Sequence, residues 1–188
     1  MKQLLLIFLS LSLAPCYGAW TIHFSNNFST EGDDVDNFDY GKMDNAVFIG
    51  ASLTDGGKLY VGWTYMMLSR NYKSDAVTNK DEISTTQMGP KFLWYLNDGK
   101  NIFLSANWLP FAKGERKRGG NSEDIDGSGL HFALGYQMKI NRKFYVGASF
   151  NYHSLSVSEV VDSGNNLTEP SQSYTSMIPM IDLSFHFK

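Results

Sequence analysis

The sequence predicts an all-β protein: an eight-stranded antiparallel up-and-down transmembrane β-barrel. Three observations predict it. Apolar and polar residues alternate with period two along most of the chain, and no convincing helical stripe interrupts them. Short turn signals recur about 43 residues apart, at Thr54-Asp55-Gly56-Gly57, Asn97-Asp98-Gly99-Lys100 and Asn141-Arg142-Lys143. Long polar segments at 28–45, 71–82, 112–128 and 158–173 lie between the hairpins so defined. Short and long connections thus alternate, and both termini fall on the short-turn side. That is the plan of an outer-membrane barrel, with short periplasmic turns and longer outside loops.

The elements follow in chain order. Lys2 precedes an apolar run from Leu4 to Leu13, and Ala14-Pro15-Cys16-Tyr17-Gly18-Ala19 breaks it with small and turn-prone residues. This is the layout of a secretory signal peptide, cleaved after Gly18 or Ala19. Cys16 would leave with it. A lipid anchor on Cys16 fits less well, because Pro15 directly precedes it. The domain division is then 1–19, signal, and 20–188, barrel. Strands are expected at about 20–28, 46–53, 58–70, 83–96, 101–111, 129–140, 143–157 and 174–187. A strand tilted about 45° crosses the hydrocarbon in about 9–11 residues, which most of these reach.

Composition narrows the function. Charged residues make up 19% and aromatics 14%, too little charge and too many rings for a disordered chain. The net charge of −3 argues against nucleic acid as a partner. A single Cys rules out a disulfide framework or a Cys-rich zinc site. No apolar stretch of about 18 residues follows the N-terminus, so a helical span is not available, whereas a barrel span is.

The two faces of the strands choose the environment. One face carries bulky groups such as Trp20, Val61, Trp63, Phe92, Leu104, Leu134, Phe150 and Leu183. The opposite face carries His23, Ser25, Thr64, Lys91, Asn107, His131, Lys139, His153, Asp182, Ser184 and His186, with Gly50, Gly62, Gly135 and Gly147 among them. A soluble lipocalin-like binding barrel would enclose the apolar face; a membrane barrel would turn it to lipid. The apolar set is too bulky for one small interior, and aromatic residues gather near strand ends, as interfacial girdles do. The membrane arrangement is therefore expected, with a polar and mostly plugged lumen. Pro90 and Pro179 each remove a ladder donor and should lie at a rim or a bulge.

The eight alternating strands and the closing Ile181-Asp182-Leu183-Ser184-Phe185-His186-Phe187-Lys188 resemble small bacterial outer-membrane β-barrel proteins of the OmpA-barrel and OmpW-like type. Phe185 and Phe187 resemble the C-terminal signal read by the barrel-assembly machinery, with Lys188 following the usual terminal Phe and Asp182 in the expected Gly position. The resemblance implies a monomer in the bacterial outer membrane, surrounded by lipid and lipopolysaccharide. It leaves two roles open: a structural or surface-interaction role, and OmpW-like passage of small hydrophobic molecules.

Candidate chemistry is sparse. A three-residue third turn places His131 opposite His153, both in the lumen. Paired imidazoles bind zinc or copper only with further ligands, so a hydrogen-bonded pair is expected and no metal or cofactor. Lys91, Lys139, Asp182, His23 and His186 are the other lumen candidates, and charges there should be paired. Lys113, Arg116, Lys117 and Arg118 form a basic run able to meet lipopolysaccharide phosphates. Asp33, Asp34, Asp36 and Asp39 lack the spacing of a calcium loop. His153-Ser154 point to opposite faces, a Ser/His/acid arrangement cannot be assembled, and no enzyme is expected.

Overall fold

The structure, a computed structural model, describes residues 18–33, 38–74, 81–118, 121–162, 164, 166–168 and 172–187. The expected signal segment 1–17 lies outside them. Among the described residues eight long strands form the wall: β1 (Trp20–Asp33), β2 (Phe38–Ser52), β3 (Leu59–Ser74), β4 (Asp81–Tyr95), β5 (Ile102–Arg118), β6 (Asn121–Lys139), β7 (Phe144–Asp162) and, after the two-residue β8 (Leu167–Thr168), β9 (Gln172–Phe187). From β1 to β7 each strand pairs antiparallel with the next in sequence. β1 meets β9, β9 meets β7 and β7 meets β6, so the sheet closes into a ring. β8 hangs on β7 alone. Closure matters because an open edge in hydrocarbon leaves N–H and C=O groups unpaired, at several kcal/mol each.

The three short turns fall where the sequence placed them. Gly57 N–H bonds the Thr54 carbonyl at 3.0 Å, Lys100 N–H bonds that of Asn97 at 3.1 Å, and Ile140 N–H bonds that of Phe144 at 2.9 Å. Gly57 has φ +61°, the left-handed conformation its missing Cβ permits. The long connections are a correction. The polar segments expected as loops are mostly strand: wall strands run 14 to 19 residues, well past the hydrocarbon, as paired hairpins. The outward face of those ribbons is itself polar, with Lys113, Glu115, Lys117 and Asp124 exposed, while the inner face buries a small apolar cluster of Ala112, Ile125, Leu155, Val157 and Val160, so the period-two signal fades.

The apolar face looks outward. Trp63, Leu134 and Phe150 are 36%, 55% and 56% exposed, and Trp20, Phe92, Trp94, Trp108 and Ile181 are exposed beside them. The expectation of a membrane barrel is met, and the lipocalin-like alternative is overturned, since that fold would bury these groups. Inward positions are buried instead, from Thr21, His23 and Ser25 on β1 to Ile178, Met180, Asp182, Ser184 and His186 on β9.

The prolines sit where a lost donor does little harm. Between the pairs Met88↔Phe111 and Lys91↔Asn107, β5 has one residue more than β4, a bulge holding Pro110 opposite Gly89 and Pro90. The same extra residue recurs against β6, between Leu109 and Ala112. Pro179 pairs with Phe150 of β7. Its carbonyl accepts the Asn27 side-chain amide, so its backbone polar atoms face β1. The β1–β9 ladder runs from Trp20↔Phe187 to Asn26↔Ile181 and ends there, one residue short of Met180 and two short of Pro179. Above that point β1 stays paired with β2 and β9 with β7, leaving the two edges unladdered against each other.

Candidate functional site

The lumen is filled in layers. Nearest the short turns, Tyr60, Tyr95, Phe103, Phe48 and Leu93 form a buried aromatic and aliphatic layer. This layer amends the expectation of a polar lumen, since its inner end is aromatic and aliphatic. Phe48, Tyr60 and Leu93 sit in runs that are apolar on both faces, so alternation could not reveal them. The glycines make room for these rings: a Cβ on Gly50 would lie 2.3 Å from the Phe48 ring, and one on Gly135 2.2 Å from the Phe103 ring. His186 joins this layer, its Nδ1 3.3 Å from the Tyr60 hydroxyl and its Nε2 3.3 Å from that of Tyr95. Lys100 closes the end, donating to the Tyr60 hydroxyl at 2.9 Å with its ammonium over the Tyr60 and Tyr95 rings.

A polar layer lies above it. His23 Nε2 is 3.0 Å from Asp182 Oδ1, and Ser25 donates to the same oxygen at 2.6 Å. Ser184 Oγ is 3.0 Å from His23 Nδ1 and donates to Gln137 Oε1 at 2.8 Å. Gln137 in turn donates to the Lys100 carbonyl at 2.8 Å. Serine, histidine and aspartate therefore do meet, contrary to the sequence reading. They come from β1 and β9, and only closure of the ring, which pairs His23 with Ser184, brings them together. The group is not poised as a nucleophile. Ser184 directs its proton to Gln137, and all three side chains are at most 1% exposed, out of reach of a substrate. Lys91 is buried over the Phe48 ring, 5.3 Å from its centroid. Lys139 is a second correction: β6 reaches the rim two residues after Gln137, its last buried side chain, and Lys139 is exposed there.

His131 and His153 are paired across β6 and β7, as the turn length implied. Their ring centroids are 6.3 Å apart. His131 Nδ1 meets the Asn107 side chain, and His153 Nε2 lies 2.9 Å from Gln87 Oε1. No third metal-ligating side chain joins them among the described residues.

The basic run is divided. The bulge at Pro110 shifts the phase of β5, so Arg116 turns into the outer mouth. There its Nε donates to Glu123 at 2.8 Å, and its Nη1 to Gln172 at 2.7 Å and to the Tyr174 hydroxyl at 3.1 Å. Lys113 and Lys117 are exposed, Lys113 3.3 Å from Asp126 and Lys117 4.0 Å from Glu82. The side chain of Arg118 lies outside the described residues, as do Asp34 and Asp36 and the side chain of Asp33.

The outer mouth holds a cavity that the sequence reading did not anticipate, of about 670 Å³. Tyr40 and Tyr72, directly paired on β2 and β3, stand on one side, with Arg70 near them. Tyr174 stands on the β9 side. Arg70 makes a bidentate pair with Asp44 at 2.7 and 3.1 Å. A second cavity of about 330 Å³ shares Tyr40, Arg70, Ile83 and Tyr174 with the first and reaches down to His153 and Leu155. These residues lie in the outer ribbons, where no periodic pattern singles them out.

The closed ring and the outward apolar belt around buried inner side chains define a transmembrane β-barrel of the bacterial outer-membrane type. A solved structure agrees at the level of fold, and two others match more loosely. Neisserial surface protein A matches with a TM-score of 0.51 over 90% of this chain and 97% of its own, at 10% identity. The β domain of the Bordetella autotransporter BrkA matches over 91% and 98%, with a TM-score of 0.48 at 9% identity. The Vibrio cholerae outer-membrane protein OmpT matches over 90% of this chain and 52% of its own, with a TM-score of 0.34 at 15% identity. No protein-family profile and no curated protein sequence matches the chain.

Proposed function

We propose that this chain is an outer-membrane barrel with a structural and surface-interaction role, its lumen closed to solutes and its specificity held in the outer hairpins. The observation that carries this reading is the interlocked filling of the lumen. The His23, Asp182, Ser184 and Gln137 network sits directly on the Tyr60, Tyr95 and Phe103 layer, and every one of these side chains is buried. Residues 1–19 act as the export signal, and Phe185 and Phe187 as the handle for the assembly machinery. Lys113 and Lys117 meet lipopolysaccharide phosphates from the outside of the wall, and the barrel works as a monomer without a catalytic role. Planar-bilayer recordings of the refolded protein test the closed lumen. No discrete openings are expected; step-like conductance would overturn it.

One observation favours a second reading, passage of small apolar molecules. The wall is unladdered between β1 and β9 above Asn26 and Ile181, and the inner face there carries Met66, Leu109, Ile178 and Met180. Under this reading, proteoliposomes take up an apolar dye faster than protein-free vesicles; equal rates would dispose of it.

A further inference from the structure

We infer that the outer-mouth cavity is a binding site for an uncharged saccharide ring. The inference deepens the surface role proposed above. It rests on that reading only in taking the mouth to open to the medium.

The argument starts from charge. Two guanidinium groups line the cavity, and an anion site would be the first thought. Each, however, is already neutralised: Arg70 by a bidentate pair with fully buried Asp44, Arg116 by Glu123. An anionic ligand would have to displace a carboxylate from each. Lys117, exposed and directed to the outside of the wall, is offset more loosely by Glu82 and Glu115 at 4.0 and 3.8 Å. The cavity therefore offers no net positive field to an anion.

It does offer ring faces and mixed hydrogen-bonding edges. Tyr40 and Tyr72 form a cross-strand pair on one side, and Tyr174 stands on the β9 side. Tyr174 is held by its hydroxyl, which accepts from Arg116, whose other bonds to Glu123 and Gln172 fix the guanidinium. Such rings supply contact area at little entropic cost and keep a polar end. Around them the lining includes both acceptors (Asp81 and Glu82) and amides that donate and accept (Asn71 and Gln172). A purely apolar or aromatic guest would strip water from these groups and return no bonds. A pyranose ring has apolar C–H faces for the tyrosines and a rim of hydroxyls, each both donor and acceptor, for the planar side chains. The volume of about 670 Å³ lies within the range of small-molecule sites and admits a disaccharide.

The test uses the full chain refolded in a phosphocholine detergent, which has no sugar headgroup, with tyrosine ring carbons labelled for NMR. Maltose, lactose and chitobiose are titrated in turn, with inorganic phosphate and indole as separate arms. At least one disaccharide is expected to give saturable shifts of the Tyr40, Tyr72 and Tyr174 signals. Tyr174→Ala should weaken that binding about tenfold, while Tyr174→Phe keeps most of it. Tyr72→Ala provides the same reading from the other side should Tyr174→Ala not refold, as judged by heat-modifiable migration. Saturation by phosphate or indole alone would overturn the inference. So would no saturation by any disaccharide, or unchanged affinity in a folded alanine variant. A conducting lumen would refute the function proposed above and leave this result standing, so the two failures are distinguishable.

Discussion

The lower and outer halves of this barrel are made of the same strands and the same antiparallel ladders, yet only one half is legible as strand. In the belt, β6 reads Leu130-His131-Phe132-Ala133-Leu134, large apolar groups out and smaller or polar ones in. In the outer half the same strand reads Ser122-Glu123-Asp124-Ile125-Asp126, paired throughout with β5 and from Glu123 onward with β7. Alternation is thus a record of two different solvents on two faces, not of strand geometry. Where the outward face is polar as well, the ladder, a few cross-strand ion pairs and the small buried cluster of Ile125, Leu155, Val157 and Val160 hold the ribbon, and the pattern fades.

The largest effect that separates the halves should come from crowding the belt wall. A Cβ at Gly62 would lie 2.0 Å from the Ile49 carbonyl oxygen and 2.5 Å from Gly50 Cα, backbone that cannot yield. Gly62→Leu is expected to cost more than the about 1–3 kcal/mol usual for overpacking and to abolish the heat-modifiable band on unboiled gels. Next comes a charge on the lipid face. Leu134→Arg should lower the free energy of refolding into vesicles by about 2–4 kcal/mol, whereas Ser128→Arg, near the outer boundary of the same face, should cost about 0–1 kcal/mol. Equal costs at the two sites would erase the distinction drawn here.

Buried and half-exposed carboxylates should differ in the same direction. Asp182→Asn disturbs buried contacts to His23 and Ser25, and about 1–3 kcal/mol is expected from urea unfolding. Glu123→Gln, at the mouth opposite Arg116, should cost about 0–1 kcal/mol. The smallest effect is confined to an outer turn. The Asn166 side-chain amide, with the backbone N–H groups of Asn166 and Gly164, holds the Asp162 carboxyl below its ordinary pKa. A depressed folded value contributes stability above the unfolded pKa and loses it as pH falls through the folded one. Amide exchange at Gly164 and Asn166 should therefore accelerate on acidification, with belt amides unchanged; a uniform response along β7 would contradict this.

The same contrast explains how much could be seen in advance. The ring, the three short turns, the His131–His153 register and the outward belt all follow from period-two alternation and turn chemistry. Phe48, Tyr60 and Leu93 were missed because Val47-Phe48-Ile49, Leu59-Tyr60-Val61 and Phe92-Leu93-Trp94 are apolar on both faces, which hides the inner member. The Ser184, His23 and Asp182 network was missed although each residue was placed inward. The signal was available: pairing Trp20 with Phe187 across the closing seam sets His23 against Ser184. The mouth cavity was out of reach, because the Pro110 bulge inverts the facing of β5 beyond it and sends Arg116 inward, against the count.

The central claim is the direction in which the apolar face looks, and tryptophan quenching in brominated lipid tests it most directly. Trp20, Trp63, Trp94 and Trp108 are all the tryptophans of the chain, and all four are exposed on the outer wall. In vesicles with bromine along the acyl chains their emission should be strongly quenched. The signal of Trp63, midway along its belt segment, should respond most to bromine placed deep in the chain. Emission indifferent to brominated lipid, but quenched by aqueous iodide or fully shielded, would contradict the account.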